Sequence, residues 1–135
     1  MVRRWRVRLE AEFGHRDVTE EVARLVAESG VREGIAVVSL TGSTGAVTTI
    51  EYEPGALADL RRALDVMAPA QAEYAHNARW GDGNGFSHVR SALLKTSLAV
   101  PVLDGRLQVG TWQQIVVINL DNQPREREIV AVVVG

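Results

Sequence analysis

Four extended runs, Leu98 to Leu103, Arg106 to Val109, Thr111 to Leu120 and Arg125 to Val134, follow one another with only short breaks. Asp104-Gly105 and Asp121-Asn122 stand in two of those breaks. Dipeptides of this kind turn the chain back tightly, because Gly, Asn and Asp tolerate the left-handed backbone that a hairpin needs. The final third is therefore constrained to an antiparallel meander. The opening of the chain agrees. Trp5, Val7, Leu9, Ala11 and Phe13 alternate with Arg4, Arg6, Arg8, Glu10 and Glu12, a period of two that predicts a half-buried strand with one charged, solvated face. Ile35 to Leu40, after Gly34, is an unbroken apolar run and predicts a strand buried on both faces. Ala46 to Ile50 resumes extended character after Gly42-Ser43-Thr44-Gly45.

Helical signals lie between the strands. Gly14 and His15 are read as a turn. Asp17 and Glu20 have capping-box spacing, and Val18, Val22, Leu25 and Val26 form one stripe that ends at Gly30. Pro54 suits the first turn of a second helix, whose stripe is Leu57, Leu60, Leu64 and Met67, with Pro69 ending it. Ser87 is placed to cap a short helix through Leu94. The expected fold is α+β: a single domain over residues 1–135, a mostly antiparallel sheet with two main helices and one short helix packed on it.

Composition narrows the chemistry. In 135 residues, 46% hydrophobic and 24% charged, there is core enough for one domain. The net charge of −2 gives no global attraction to nucleic acid or anionic membrane. The absence of cysteine excludes disulfides and thiolate chemistry. The longest apolar stretch, Ile129 to Val134, is far short of the roughly 20 residues that span a bilayer, and alternating charges follow Arg3 and Arg4 where a secretion signal would be apolar. The expectation is a soluble cytoplasmic protein with neither nucleic acid nor membrane as partner.

Residues 70–87 are unlike the rest. Tyr74, His76, Asn77, Arg79, Trp80, Asp82 and Asn84 crowd one glycine-rich segment, read as a long functional loop. His76 and His88 stand at its two ends, and two imidazoles so placed suit a shared metal, a phosphate or acid–base work, with loop-ordering hydrogen bonds as the competing reading. Gly42-Ser43-Thr44-Gly45 is either an anion cradle or a tight turn requiring φ > 0. Glu51 and Glu53 flank Tyr52 on one strand face. Trp112, in Gly110-Thr111-Trp112-Gln113, is read as a packing anchor.

Taken in order, Tyr74-Ala75-His76-Asn77, Asp82-Gly83-Asn84 to His88, Ser97-Leu98-Ala99-Val100-Pro101-Val102, Asp104-Gly105-Arg106-Leu107, Gly110-Thr111-Trp112-Gln113 and the Arg-rich strand ending at Gly135 resemble the YjbQ-like family. That family is also described as secondary thiamine-phosphate synthases, and the resemblance covers essentially the whole chain. It implies a compact α+β domain assembling as a homotrimer around a polar pocket. The implied activity is a transferase reaction that joins a pyrimidine diphosphate to a thiazole phosphate. His76, His88 and Glu51 would be catalytic, and His76 and His88 would also be metal ligands for Mg²⁺ or Zn²⁺. Ser43, Thr44, Asn77, Asp82 and Asn84 would bind the phosphorylated small molecule. The family pattern has a histidine where this chain has Gly42, an asparagine at Ile50 and a glycine at Lys95, so the implied site is degenerate. Two alternatives stand beside the transferase: a non-catalytic small-molecule or anion-binding homotrimer, and an interaction protein in which Trp80 and Phe86 fill the pocket.

Overall fold

The computed structural model describes residues 1–135, and its secondary structure follows the apolar periodicities closely. Eight strands and four helices alternate along the chain: β1 (Val2–Leu9), β2 (Gly14–Asp17), α1 (Thr19–Ser29), β3 (Glu33–Leu40), β4 (Gly45–Ile50), α2 (Pro54–Met67), α3 (Ala75–Trp80), α4 (Gly85–Leu94), β5 (Ser97–Leu103), β6 (Arg106–Leu107), β7 (Gln114–Asn119) and β8 (Arg125–Val134). The strands divide into a five-stranded sheet I, ordered β1-β8-β3-β5-β6, and a three-stranded sheet II, ordered β2-β7-β4. Every pairing is antiparallel. The fold is a single α+β domain with a curled antiparallel sheet and four helices.

Two apolar layers hold the elements together. Val7 and Leu9 of β1, Ile129, Ala131 and Val133 of β8, Ala36, Val38 and Leu40 of β3, and Val100 and Val102 of β5 face the same side of sheet I. They close on Val22, Leu25 and Val26 of α1 and on Val47, Ile115 and Val117 of sheet II. The opposite face of sheet II carries Ala46, Val116 and Ile118, which pack on Leu57 and Leu64 of α2 together with Phe13. Sheet II is thus the middle layer. That explains why Ile115, Val116, Val117 and Ile118 are all fully buried, as a strand covered on both faces requires.

Several expectations are corrected here. The strand buried on both faces is β7 and not β3, whose Ile35 is 46% exposed while Ala36 and Val38 are buried. Gly14 and His15 begin strand β2 rather than making a turn. Residues 70–87 are not one long loop: Ala75–Trp80 form α3, closed by Gly81 at φ 67°, and α4 begins at Gly85. Ser87 lies inside α4 and donates its hydroxyl to Asn84 Oδ1, so it is not the cap. Asp17 accepts from the Thr19 N–H and hydroxyl, while Glu20 turns outward to Arg24 instead of completing a capping box. Pro54 and Gly30 stand where expected, Gly30 at φ 70° as the α1 cap and Pro54 at the start of α2 with Glu53 accepting from two N–H groups.

Candidate functional site

Three connections meet at one end of the two sheets: residues 41–44 between β3 and β4, the α3–α4 segment, and residues 120–124 between β7 and β8. At their centre is Asp121, only 2% exposed. Its oxygens accept from Thr44 Oγ1 at 2.9 Å, Asn84 Nδ2 at 3.1 Å and the Gln123 N–H at 2.9 Å, and they pair with Arg125 Nε at 3.1 Å. Burial alone would raise the Asp121 pKa, but these donors outweigh it and hold the carboxyl below its usual range. Asn84 is equally committed, accepting from Ser87 and from the Asn122 N–H. Asp121 and Asn84 therefore lock the three connections to one another.

Arg127 rises from the core face of β8 into this network. Its Nη2 donates to Thr44 Oγ1 at 2.7 Å and to Asn119 Oδ1 at 2.6 Å. The residue is 6% exposed, its Nε is buried without a partner, and no carboxylate pairs with it. Burial lowers its pKa, the Asp121 charge raises it and Arg125 lowers it again, yet a guanidinium stays charged in any such setting.

The two histidines do come together, with ring centroids 4.4 Å apart and planes at 51°. His88 Nδ1 lies 3.1 Å from the Ser43 carbonyl oxygen. A carbonyl only accepts, so Nδ1 carries the proton and Nε2 is the free ring nitrogen. His76 Nδ1 lies 3.2 Å from Asp82 Oδ1 but is not aligned for a hydrogen bond, and it has no other partner. Ser43, Thr44, Asp82, Asn84, His88, Asp121, Arg125 and Arg127 line a cavity of about 360 Å³ with no hydrophobic residue in its wall. A second hollow of about 340 Å³, shared through Ser43 and His88, adds Gly42 and Lys95. Trp80 is 65% exposed and Phe86 is buried beneath Arg90; neither lines these hollows.

Ser43, Thr44, His76, Asp82, Asn84 and His88 are thus gathered at one site. Asn77 stands beside it, its Oδ1 accepting from the Gly85 N–H between α3 and α4. Glu51 is not brought there. It follows the far end of β4, and the six residues of that strand put it roughly 20 Å from Thr44, where it is exposed beside Tyr52. His15 is not at the site either: it stands opposite Ile118 on β2, on the sheet II face that packs on α2, with Nδ1 3.0 Å from the Tyr52 hydroxyl and its pKa lowered by burial. Sequence reasoning passed over Asn119, Asp121, Arg125, Arg127 and Lys95. Arg127 had a signal: it shares a strand face with Ile129, Ala131 and Val133, and a cation on a core face needs a reason.

The donor set does not fit a resident metal ion. No three His, Asp or Glu side chains are grouped to hold one, and the wall sets Arg125 and Arg127 beside Asp82 and Asp121, so guanidinium groups compete for the carboxylates an ion would need.

A domain of this topology with an all-polar pocket at one sheet end has counterparts. The family model described as UPF0047 protein YjbQ-like matches residues 3–135, and the chain belongs to the UPF0047/YjbQ-like family. A UPF0047 protein of Methanothermobacter thermautotrophicus is 40% identical over 119 residues, 88% of this chain and 81% of that one. YugU of Bacillus subtilis is 32% identical over 112 residues, 82% of each chain. Among solved structures, a hypothetical protein from Aeropyrum pernix superposes with a TM-score of 0.90 at 29% identity, covering 100% of this chain and 98% of the other. An uncharacterised YjbQ/UPF0047 family protein from Clostridium acetobutylicum gives 0.88 at 28%, covering 98% and 99%. No helix is long and apolar enough to cross a membrane.

Proposed function

We propose that this chain binds a phosphorylated small molecule in the polar pocket and carries out the transfer that its family resemblance implies, joining a pyrimidine diphosphate to a thiazole phosphate. The observation that carries the reading is the wall itself, where the guanidinium groups of Arg125 and Arg127 and the Ser43 hydroxyl stand beside Asp82 and Asp121 and no apolar side chain intrudes. In such a reaction the bond between the pyrimidine methylene carbon and the diphosphate oxygen breaks, and pyrophosphate leaves with the electron pair. The thiazole nitrogen lone pair forms the new C–N bond. No nucleophile from the protein is needed, so the work is positioning and stabilisation of the departing negative charge. Guanidinium donors held beside the Asp121 network suit that task.

A second reading, an anion-binding relative without catalysis, is favoured by two observations: Glu51 lies at the wrong end of β4, and Gly42 offers no third imidazole. One experiment separates the two. The purified protein is incubated in Mg²⁺ buffer with both substrates, and thiamine phosphate and pyrophosphate are quantified beside a pyrophosphate titration. Equimolar product and pyrophosphate are expected. Binding without turnover selects the second reading, and absence of both removes the pocket from consideration.

The homotrimer implied by the resemblance belongs to the same proposal. The outer face of sheet I exposes Val2, Ile35, Leu103 and Val134 at 46–59%, an apolar surface suited to burial between copies of the chain. Light scattering on wild type and Ile35→Glu tests it, with three chain masses expected for the first and a smaller species for the second.

A further inference from the structure

The face of sheet II that packs on α2 carries a separate hollow, with none of its residues in the polar pocket. In the core layer between that face and α2, Ala46, Leu64, Val116, Ile118 and Leu120 are no more than 1% exposed. Phe13 and Leu57 are each 7% exposed, and both line a cavity of about 500 Å³, a volume typical of small-molecule sites. This layer of the core therefore opens at one place. Phe13 is held there under strain. Its φ of 122°, directly after Glu12 at 54°, is backbone that a bulky side chain rarely adopts, and its N–H is pinned to the Asn119 carbonyl at 2.8 Å. Strain of this kind survives where the surrounding structure fixes it, and it clusters at ligand sites.

The walls of the hollow suit one kind of guest. Phe13, His15 and Tyr52 form an edge-to-face row with ring centroids 5.9 and 5.4 Å apart, and Pro54, Leu57 and Ala58 line the same cavity from α2. A row of rings with an aliphatic wall beside it takes a flat aromatic group. Polar groups are few. His15 Nδ1 lies 3.0 Å from the Tyr52 hydroxyl, and burial pushes the imidazole pKa down, so the ring is neutral at pH 7. A neutral imidazole and a phenol share one hydrogen between them. Whichever member gives it, one donor is left over, either His15 Nε2–H or the Tyr52 O–H. At the rim, the Arg61 guanidinium lies 5.9 Å from the Phe13 centroid. The acids of the same helix turns do not engage it: Glu53 accepts from the Gly55 and Ala56 N–H groups with its two oxygens, and Asp59 pairs with Arg62.

We propose that this hollow is a ligand site separate from the polar pocket and that its ligand is a planar aromatic carboxylic acid. The aromatic ring lies among Phe13, Tyr52, Pro54 and Leu57. The carboxylate takes the Arg61 guanidinium at the rim and the spare donor of the His15–Tyr52 pair, and hydrogen bonds from a guanidinium to a carboxylate are among the strong ones. Arg61 and Glu53 are the two charged residues of the wall, so the cavity is close to neutral overall. That balance suits a monoanion carried on an apolar ring and disfavours a diphosphate. The inference stands independently of the transferase reading, because the two sites share no residue.

The probe is naphthoate, with naphthylmethanol as its uncharged counterpart. Imidazole ¹⁵N NMR on the full chain follows all three histidines in one titration. Naphthoate is expected to shift His15 saturably with His76 and His88 unmoved, and to bind about tenfold or more tightly than the alcohol. Arg61→Gln, at an exposed position of α2, should remove that preference while circular dichroism shows the fold unchanged. Ala58→Trp, also exposed, fills the hollow from α2 and should abolish saturation. Shifts at His76 and His88 instead of His15 overturn the site, because the acid then prefers the polar pocket. Equal affinity for acid and alcohol, or wild-type affinity for naphthoate in a folded Arg61→Gln, overturns the carboxylate assignment. Wild-type affinity in a folded Ala58→Trp overturns the location. No His15 response up to about 10 mM naphthoate overturns the proposal outright, and so does a response that vanishes as light scattering shows the chain associating, since a second copy then covers the hollow.

Discussion

Placing a histidine at position 42, as the family resemblance would have it, is expected to damage this chain rather than complete its site. The cost has two parts. The Gly42 backbone at φ 132° lies where a side chain costs about 1–3 kcal/mol. The Cβ also meets Arg127 Nη1 at 2.7 Å, so the guanidinium must withdraw from Thr44 Oγ1 or Asn119 Oδ1. Each hydrogen bond to a charged group is worth about 1.5–3 kcal/mol. With one of them lost, the total is about 2.5–6 kcal/mol. For a chain of this size that lowers the thermal midpoint by roughly 10 °C or more. Gly42→Ala carries both parts without the imidazole and is the cleaner measurement. Gly81 supplies the control, since it also has positive φ, 67°, but nothing within 4 Å of its Cβ position. Thermal melts followed by circular dichroism on Gly42→Ala, Gly42→His and Gly81→Ala separate the backbone cost from the displacement of Arg127. If Gly42→Ala melts no lower than Gly81→Ala, the guanidinium is not pressed against that position and the reasoning fails.

Other substitutions test other parts of the account. Trp112 is 73% exposed, so Trp112→Ala should shift the unfolding free energy by no more than about 0.5 kcal/mol; a large loss in a urea titration would show the ring packed. Arg90 is 3% exposed, donates from Nε to the Ala68 carbonyl at 2.9 Å, pairs with Asp65 and covers the Phe86 ring. Arg90→Ala should cost about 2–4 kcal/mol by the same titration, and near-neutrality would mean that α2 and α4 are not joined there. Asp121 has a folded pKa below its unfolded value of about 4. Its contribution is therefore present above that pH and is lost as the pH falls through the folded value. Asp121→Asn should lower stability at pH 7 and flatten the acid limb below about pH 4; a parallel, merely displaced acid limb would contradict the assignment.

The parts of this fold that were legible in the sequence are those where one physical rule decides. Alternation at Trp5, Val7 and Leu9 fixed the inward face of β1, and Gly30 and Pro54 marked helix ends because backbone conformation leaves few alternatives there. The both-faces-buried strand was misplaced for a clear reason. Ile35 to Leu40 and Ile115 to Leu120 are equally apolar in one dimension. Only the layering, with sheet II between sheet I and α2, decides which is covered twice. Helix α3 was hidden because six residues containing His76 and Asn77 have no periodicity to read.

The site divides in the same way. His76, His88, Asp82 and Ser43 were visible as a polar cluster in an unusual segment. Asp121 read as a turn residue, which it is, and nothing local announced that four donors would converge on it. Arg127 was one arginine among many until its neighbours on the β8 face were known to be core. Glu51 looked catalytic by alignment of motifs, but β4 carries it away from the imidazoles. Long-range pairing, which one-dimensional patterns do not encode, decided each of these cases.

The central claim is that the His76–His88 end of the molecule receives a phosphorylated ligand. Three histidines make the most direct test simple, because two are at that end and His15 is held against Tyr52 on the α2 face of sheet II. The measurement is a ¹⁵N-imidazole NMR titration of the purified protein with pyrophosphate at constant ionic strength. The account predicts saturable shifts of the His76 and His88 ring nitrogens with His15 unmoved. Saturable shifts at His15, or none at His76 and His88, would contradict it.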